Sequence, residues 1–104
     1  MNKDYSRAIP AEWVEMAKVY EALGHEHRQR ILLTFEKHEE LSIKDIVEVS
    51  TLQRTAVVHH LKILQNANVL VPTKRGKFVF YKINADIVKN TCESTIDYVE
   101  KHLM

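Results

Sequence analysis

Apolar residues recur along the chain with two different periods, and the change of period marks the passage from helix to strand. Pro10 opens a segment in which Trp13, Met16, Ala17, Tyr20 and Leu23 fall at i, i+3, i+4, i+7 and i+10. That is the stripe of an amphipathic helix with Pro in its first turn and Gly24 as its stop. Residues 25–37 read as a second helix with Ile31, Leu32 and Phe35 on its inner face. Ser42 followed by Asp45 resembles a capping box, with Asp where Glu or Gln is usual, and Ile43, Ile46 and Val47 then form one face of a short third helix ending near Val49. Ser50-Thr51-Leu52 breaks that helix, and a longer one follows over about 53–67 with Val57, Leu61 and Leu64 pointing inward.

Beyond Asn68 the period becomes alternating. Residues 70–73 and 78–83 are rich in β-branched and aromatic side chains, and Lys74-Arg75-Gly76-Lys77 between them reads as a basic hairpin tip. Pro72 fits a two-stranded ribbon, in which both strands are edges. From Ala85 the helical spacing returns through Val88, Cys92, Thr95 and Val99. The predicted order is α-α-α-α-β-β-α, mainly helical with a β-hairpin wing. Two helices joined by a three-residue turn are the skeleton of a helix-turn-helix, so the fold class is a winged helix-turn-helix. No repeat, low-complexity tract or linker divides residues 1–104, which read as one domain with the first and last helices free to serve as dimerisation elements.

Size and composition favour that pairing. A domain of 104 residues buries only about 60 to 70% of its unfolded surface, so a core shared with a second copy adds stability. The chain is 45% hydrophobic and 28% charged, and no run of about 18 apolar residues could span a membrane. Its N-terminus, Met1-Asn2-Lys3-Asp4-Tyr5-Ser6-Arg7, has no apolar signal core, and a lone Cys92 excludes an intrachain disulfide; both fit a soluble, cytoplasmic protein.

The net charge of +1 hides a lopsided distribution. Residues 1–50 hold seven Lys/Arg against ten Asp/Glu, and residues 86–104 hold two against four. Between them, residues 51–85 carry Arg54, Lys62, Lys74, Arg75, Lys77 and Lys82 with no acidic residue. Such a block is the footprint of a polyanion-binding surface, against the alternative of chance clustering on a solvated face. On the fourth helix, the inward stripe leaves Arg54, Thr55, Val58, His59 and Lys62 on the opposite face. Arg bonds guanine edges, Thr and His bond bases or phosphates, and Val packs on a thymine methyl, so this face suits a DNA major groove. The basic ribbon after it, with Lys74, Arg75 and Lys77, would add phosphate or minor-groove contacts. No paired carboxylates, no nucleophile with its base and no Gly-rich phosphate loop stand out, so an enzyme is not indicated.

Four stretches carry a family resemblance: Leu23-Gly24-His25-Glu26-His27-Arg28-Gln29-Arg30-Ile31-Leu32, Glu40-Leu41-Ser42-Ile43-Lys44-Asp45-Ile46, Thr55-Ala56-Val57-Val58-His59-His60-Leu61-Lys62-Ile63-Leu64 and Gly76-Lys77-Phe78-Val79-Phe80-Tyr81. In order and spacing over residues 20–83 they resemble the ArsR/SmtB family of winged helix-turn-helix repressors. The resemblance implies a homodimer that sits on a palindromic operator in double-stranded DNA and leaves it when an inducer binds. It places base-reading positions at Arg54, Thr55, Val58 and His59. Gln53 stands where Ser usually caps the recognition helix, and Val58 replaces a usually polar contact, so the operator sequence does not carry over.

The family finds none of its metal sites here, so no metal site and no cofactor are expected. Its third-helix thiolate pair would fall on Ser42 and Lys44, neither a soft ligand. Its last-helix zinc or nickel site falls, in the most favourable register, on Asp86, Val88, Val99 and His102, and Val binds no metal. The inducer is left unidentified. His25 and His27 read as capping and solvent-contact residues rather than ligands, His59 as facing DNA and His60 the core. Trp13 and Tyr20 read as core or interface residues. Cys92, on the apolar side of the last helix, reads as a small buried hydrophobe, with a redox role as the alternative. A winged-helix protein-interaction module that reads no DNA is the competing function.

Overall fold

The structure, a computed structural model, describes residues 3–104; Met1 and Asn2, the start of the polar N-terminus, lie outside the described residues. The elements run α1 (Ala11–Leu23), α2 (Glu26–Leu33), β1 (Glu40–Ser42), α3 (Ile43–Val49), α4 (Arg54–Asn66), β2 (Leu70–Arg75), β3 (Phe78–Ile83) and α5 (Ala85–His102). Five helices and a hairpin wing match the predicted class. The strand β1 is an addition: it pairs antiparallel with β3, so the sheet order is β1-β3-β2 and β3 is a central strand rather than an edge. Three residues are too short to show an alternating pattern. Pro72 is still accommodated, because β2 remains an edge strand.

Local chemistry sets the boundaries. The α2 helix stops at Leu33, short of the expected residue 37, where the Thr34 hydroxyl donates to the Ile31 carbonyl at 2.6 Å. Behind it a tight turn closes, with Glu39 N–H on the Glu36 carbonyl, Glu36 N–H on the Glu39 carboxylate and His38 at φ 63°. The capping box forms as predicted: Asp45 N–H donates to Ser42 Oγ at 3.1 Å and Ser42 N–H to Asp45 Oδ2 at 2.9 Å. The Ser42 backbone and then its side chain hold the Asp45 carboxyl below its ordinary range. After α4, Asn68 adopts φ 63° while its N–H reaches the Gln65 carbonyl and that of Val69 the Leu64 carbonyl. These two bonds are a Schellman motif, which turns the chain from recognition helix into wing.

The core lies between α4 and everything around it. Ile46, Val57, Leu61, Leu64 and Val69 are fully buried, joined by Val19, Ala22, Ile31, Leu70 and Tyr81. In α1 the inward residues are Val19 and Ala22, one step round from the predicted stripe. Trp13, Ala17 and Tyr20 stay exposed, and Met16 is half-buried. Trp13 meets Tyr98 of α5 edge to face at 4.8 Å, and the Tyr20 hydroxyl bonds the Thr95 hydroxyl. Periodicity finds an apolar face without saying what covers it, and α1 carries two. The α5 helix likewise buries only Thr91 and leaves Cys92 exposed, correcting its expected place in the core. Among the described residues, no helix is long and apolar enough to cross a membrane.

Candidate nucleic-acid interface

Helical geometry puts Thr55, Val58, His59 and Lys62 on one face of α4, with Arg54 at its first turn. Arg54, Thr55, His59 and Lys62 are exposed and Val58 is half-buried, while Val57, His60, Leu61 and Leu64 on the other side are buried. Gln53 is the N-cap but makes no side-chain cap bond, so the first-turn amides of α4 lack the partner that a Ser would give them.

The wing is tighter at its tip than predicted. Lys74 and Arg75 are strand residues, paired with Val79 and Phe78, and only Gly76 and Lys77 form the turn. Gly76 alone has positive φ there, at 61°, the pattern of a II′ hairpin turn with Gly first. Arg75 is committed: it forms an ion pair with Glu40 on β1 and its guanidinium lies 4.3 Å from the centre of the Phe80 ring. The segment without acidic residues is therefore met in space by a carboxylate from outside it. Among the described residues no carboxylate pairs with Arg54, Lys62, Lys74, Lys77 or Lys82, which leaves an unneutralised basic surface on α4 and the wing.

No family model matches the chain. It is 26% identical over 86 residues to the transcriptional repressor SdpR of Bacillus subtilis, covering 83% of this chain and 94% of that protein. It is 29% identical over 91 residues to a cadmium resistance transcriptional regulatory protein, a CadC homologue of Staphylococcus aureus, covering 88% and 73%. An ArsR-like transcriptional regulator from Rhodococcus sp. RHA1 superposes with a TM-score of 0.81 at 22% identity, over 88% of this chain and 86% of that one. The fold is the winged helix-turn-helix of ArsR-like regulators.

The positions on which the sequence resemblance places a third-helix metal site are otherwise engaged. Ser42 Oγ caps α3, and the Lys44 ammonium lies 4.0 Å from the Glu48 carboxylate. Neither residue fits a soft ion. Among the described residues no group of three or more His, Cys, Asp or Glu side chains converges as a metal site requires.

Sequence reasoning missed a polar knot behind the recognition helix. Arg28 is buried at 7% exposure and donates to the Ala22 carbonyl at 2.8 Å and the Glu21 carbonyl at 3.0 Å, closing the end of α1. Its Nη1 lies 3.3 Å from His60 Nδ1 on α4. His60 is buried, as its place on the inner stripe predicted. His25 caps α2 by accepting from His27 N–H at 3.1 Å, and its ring lies 4.8 Å from that of His60. The available signal was a charged residue one turn before Ile31 on the inner face of α2.

Proposed function

We propose that this chain is a sequence-specific DNA-binding transcriptional regulator of the ArsR type, acting as a dimeric repressor without the metal sites usual in the family. The observation that carries the reading is the exposed, unneutralised face of α4 lying beside a basic wing. Gln53, Arg54, Thr55, Val58, His59 and Lys62 would enter the major groove, with open first-turn amides meeting a phosphate. Lys74 and Lys77 would meet phosphates or the neighbouring minor groove, with Arg75 stiffening the wing and lending charge. The repressor role comes by analogy with the relative from Bacillus subtilis.

Pairing is supported by the apolar surface that one copy leaves open. Trp13 and Tyr20 on α1, Ile96 and Tyr98 on α5 and Leu103 just after it are all at least 39% exposed. The radius of gyration, 16.4 Å, exceeds the ~13 Å of a compact chain of about this length. Two copies joined through α1 and α5 would set their recognition helices about 34 to 36 Å apart, one turn of DNA. Cys92 would then lie at or near the seam between protomers.

Operator and scrambled duplexes, titrated at several salt concentrations, test the assignment of roles. Arg54→Ala is expected to cost about 1 to 3 kcal/mol on operator and less on scrambled DNA. Lys77→Ala should weaken both alike and reduce the salt slope by about one counterion. If Arg54→Ala lowers both affinities equally while Lys77→Ala erases sequence preference, the roles are reversed.

A second expectation concerns release. Zinc, nickel, cadmium and arsenite should leave the protein on its operator, because Ser42, Lys44, Val88 and Val99 supply no suitable ligands. Stoichiometric binding of any of these ions, abolished by Asp86→Ala or His102→Ala, would overturn the reading of α5.

A further inference from the structure

The knot at the back of the recognition helix joins two parts of the chain. On one side are α1 and α2, on the other the helix that carries the candidate DNA face. His60 is the only α4 side chain that bonds Arg28, and Arg28 in turn holds the carbonyls that end α1. In that contact the guanidinium can only donate, so His60 Nδ1 must accept and its ring must be neutral.

The surroundings of His60 amplify this requirement. The rings of His25, His27 and His59 lie 4.8, 6.0 and 5.6 Å from it. From α2 and its cap it faces His25, His27 and Arg28, and from its own helix His59, all of them cationic when protonated. The end of α1 contributes backbone carbonyls, which Arg28 occupies, and α3 and β2 bring no ionisable group to bear on it. Glu26, the nearby carboxylate, is ion-paired with Arg30 and bears on His25 and His27 rather than on His60. A proton on His60 therefore finds no counter-charge.

We propose that Arg28 and His60 are positioning residues forming a proton-operated latch: neutral His60 holds α4 against α1 and α2, and its protonation breaks the contact and loosens the candidate DNA-reading helix. The latch is a property of the free protein. Its effect on DNA binding rests on the function proposed above.

Burial first, then the charges of His25 and Arg28, push the His60 pKa below its ordinary value of 6.5. The folded chain thus binds this proton less readily than the unfolded chain does. Stability from the latch is complete above about pH 6.5 and is lost as the pH falls toward the lowered value.

The test is a histidine-resolved NMR titration of the free protein from about pH 8 to 5, with His60→Asn as the comparison. Asn keeps a side-chain acceptor and does not titrate. The expected result is that His60 titrates below its ordinary value of 6.5 and that amides of α2 and α4 shift with it in the wild type, but not in the variant. DNA upstream of the protein's own gene supplies the second reading. Wild-type affinity should fall relative to that of His60→Asn as the pH drops from about 7.5 to 5.5, because only the wild type carries the proton that opens the latch. An ordinary titration midpoint for His60, with amides of α4 that do not move, would overturn the latch. So would equal pH profiles for the two proteins on DNA. Should His60→Asn fail to fold, the wild-type titration alone decides. A chain that titrates as expected yet binds no DNA at any pH would keep the latch and remove the proposed function.

Discussion

Ile96→Glu is expected to convert the protein to a monomer at micromolar concentration and to lower operator affinity by about a hundredfold or more. Ile96 is 56% exposed in one copy, so the new carboxylate costs the isolated fold little. In the proposed dimer it would be buried in the seam once from each copy, and two unpaired carboxylates in an apolar seam are strongly unfavourable. The loss on DNA follows from geometry rather than from any lost contact. Two linked reading heads bind a palindrome with an avidity about 10² to 10⁴ above that of one. Sedimentation equilibrium gives the mass, and titration of the operator gives the affinity. An unchanged dimer would remove α5 from the interface, and a monomer with undiminished affinity would remove the need for pairing.

Leu61→Ala should destabilise the fold by about 2 to 5 kcal/mol, much of the ~5 to 15 kcal/mol that holds a small domain together. Leu61 is fully buried in the middle of α4, within the cluster that gathers Val19, Ile31, Ile46, Leu64 and Tyr81. Truncation removes three heavy atoms from a site enclosed on every side, and the neighbouring backbone is already fixed by helix hydrogen bonds. Urea unfolding should show a lower midpoint with an unchanged slope. Val58→Ala, on the half-buried face of the same helix, is the control, with a much smaller loss. A cost below about 1 kcal/mol for Leu61→Ala would mean that the core closes over the gap.

What the sequence discloses is local chemistry. Ser42 with Asp45, the apolar triplet Val57, Leu61 and Leu64, and the glycine of the wing each announce their structure within a few residues. The exposure of Arg54, Thr55, His59 and Lys62 follows from the same helical period. Contacts over long separations are what periodicity does not encode. Glu40 belongs to an acid-rich segment and meets Arg75 only because β1 pairs with β3. Arg28 and His60 are 32 residues apart, and nothing near either announces the other. The exposure of Cys92 has a related cause: α1 and α5 each have more apolar face than one copy covers, and a pattern of spacing cannot rank two faces.

Ser42 is both the last residue of β1, paired with Phe80 on the wing's central strand, and the N-cap of α3. Because a single residue serves the sheet and the helix, no flexible joint lies between the wing and the first helix of the helix-turn-helix. Mechanically, wing and helix-turn-helix form one stiff tool rather than two hinged ones. A signal that turns such a tool off has little to gain by bending the wing. It would act on how the tool is mounted, through its seating on α1 and α2 or through the angle between two copies.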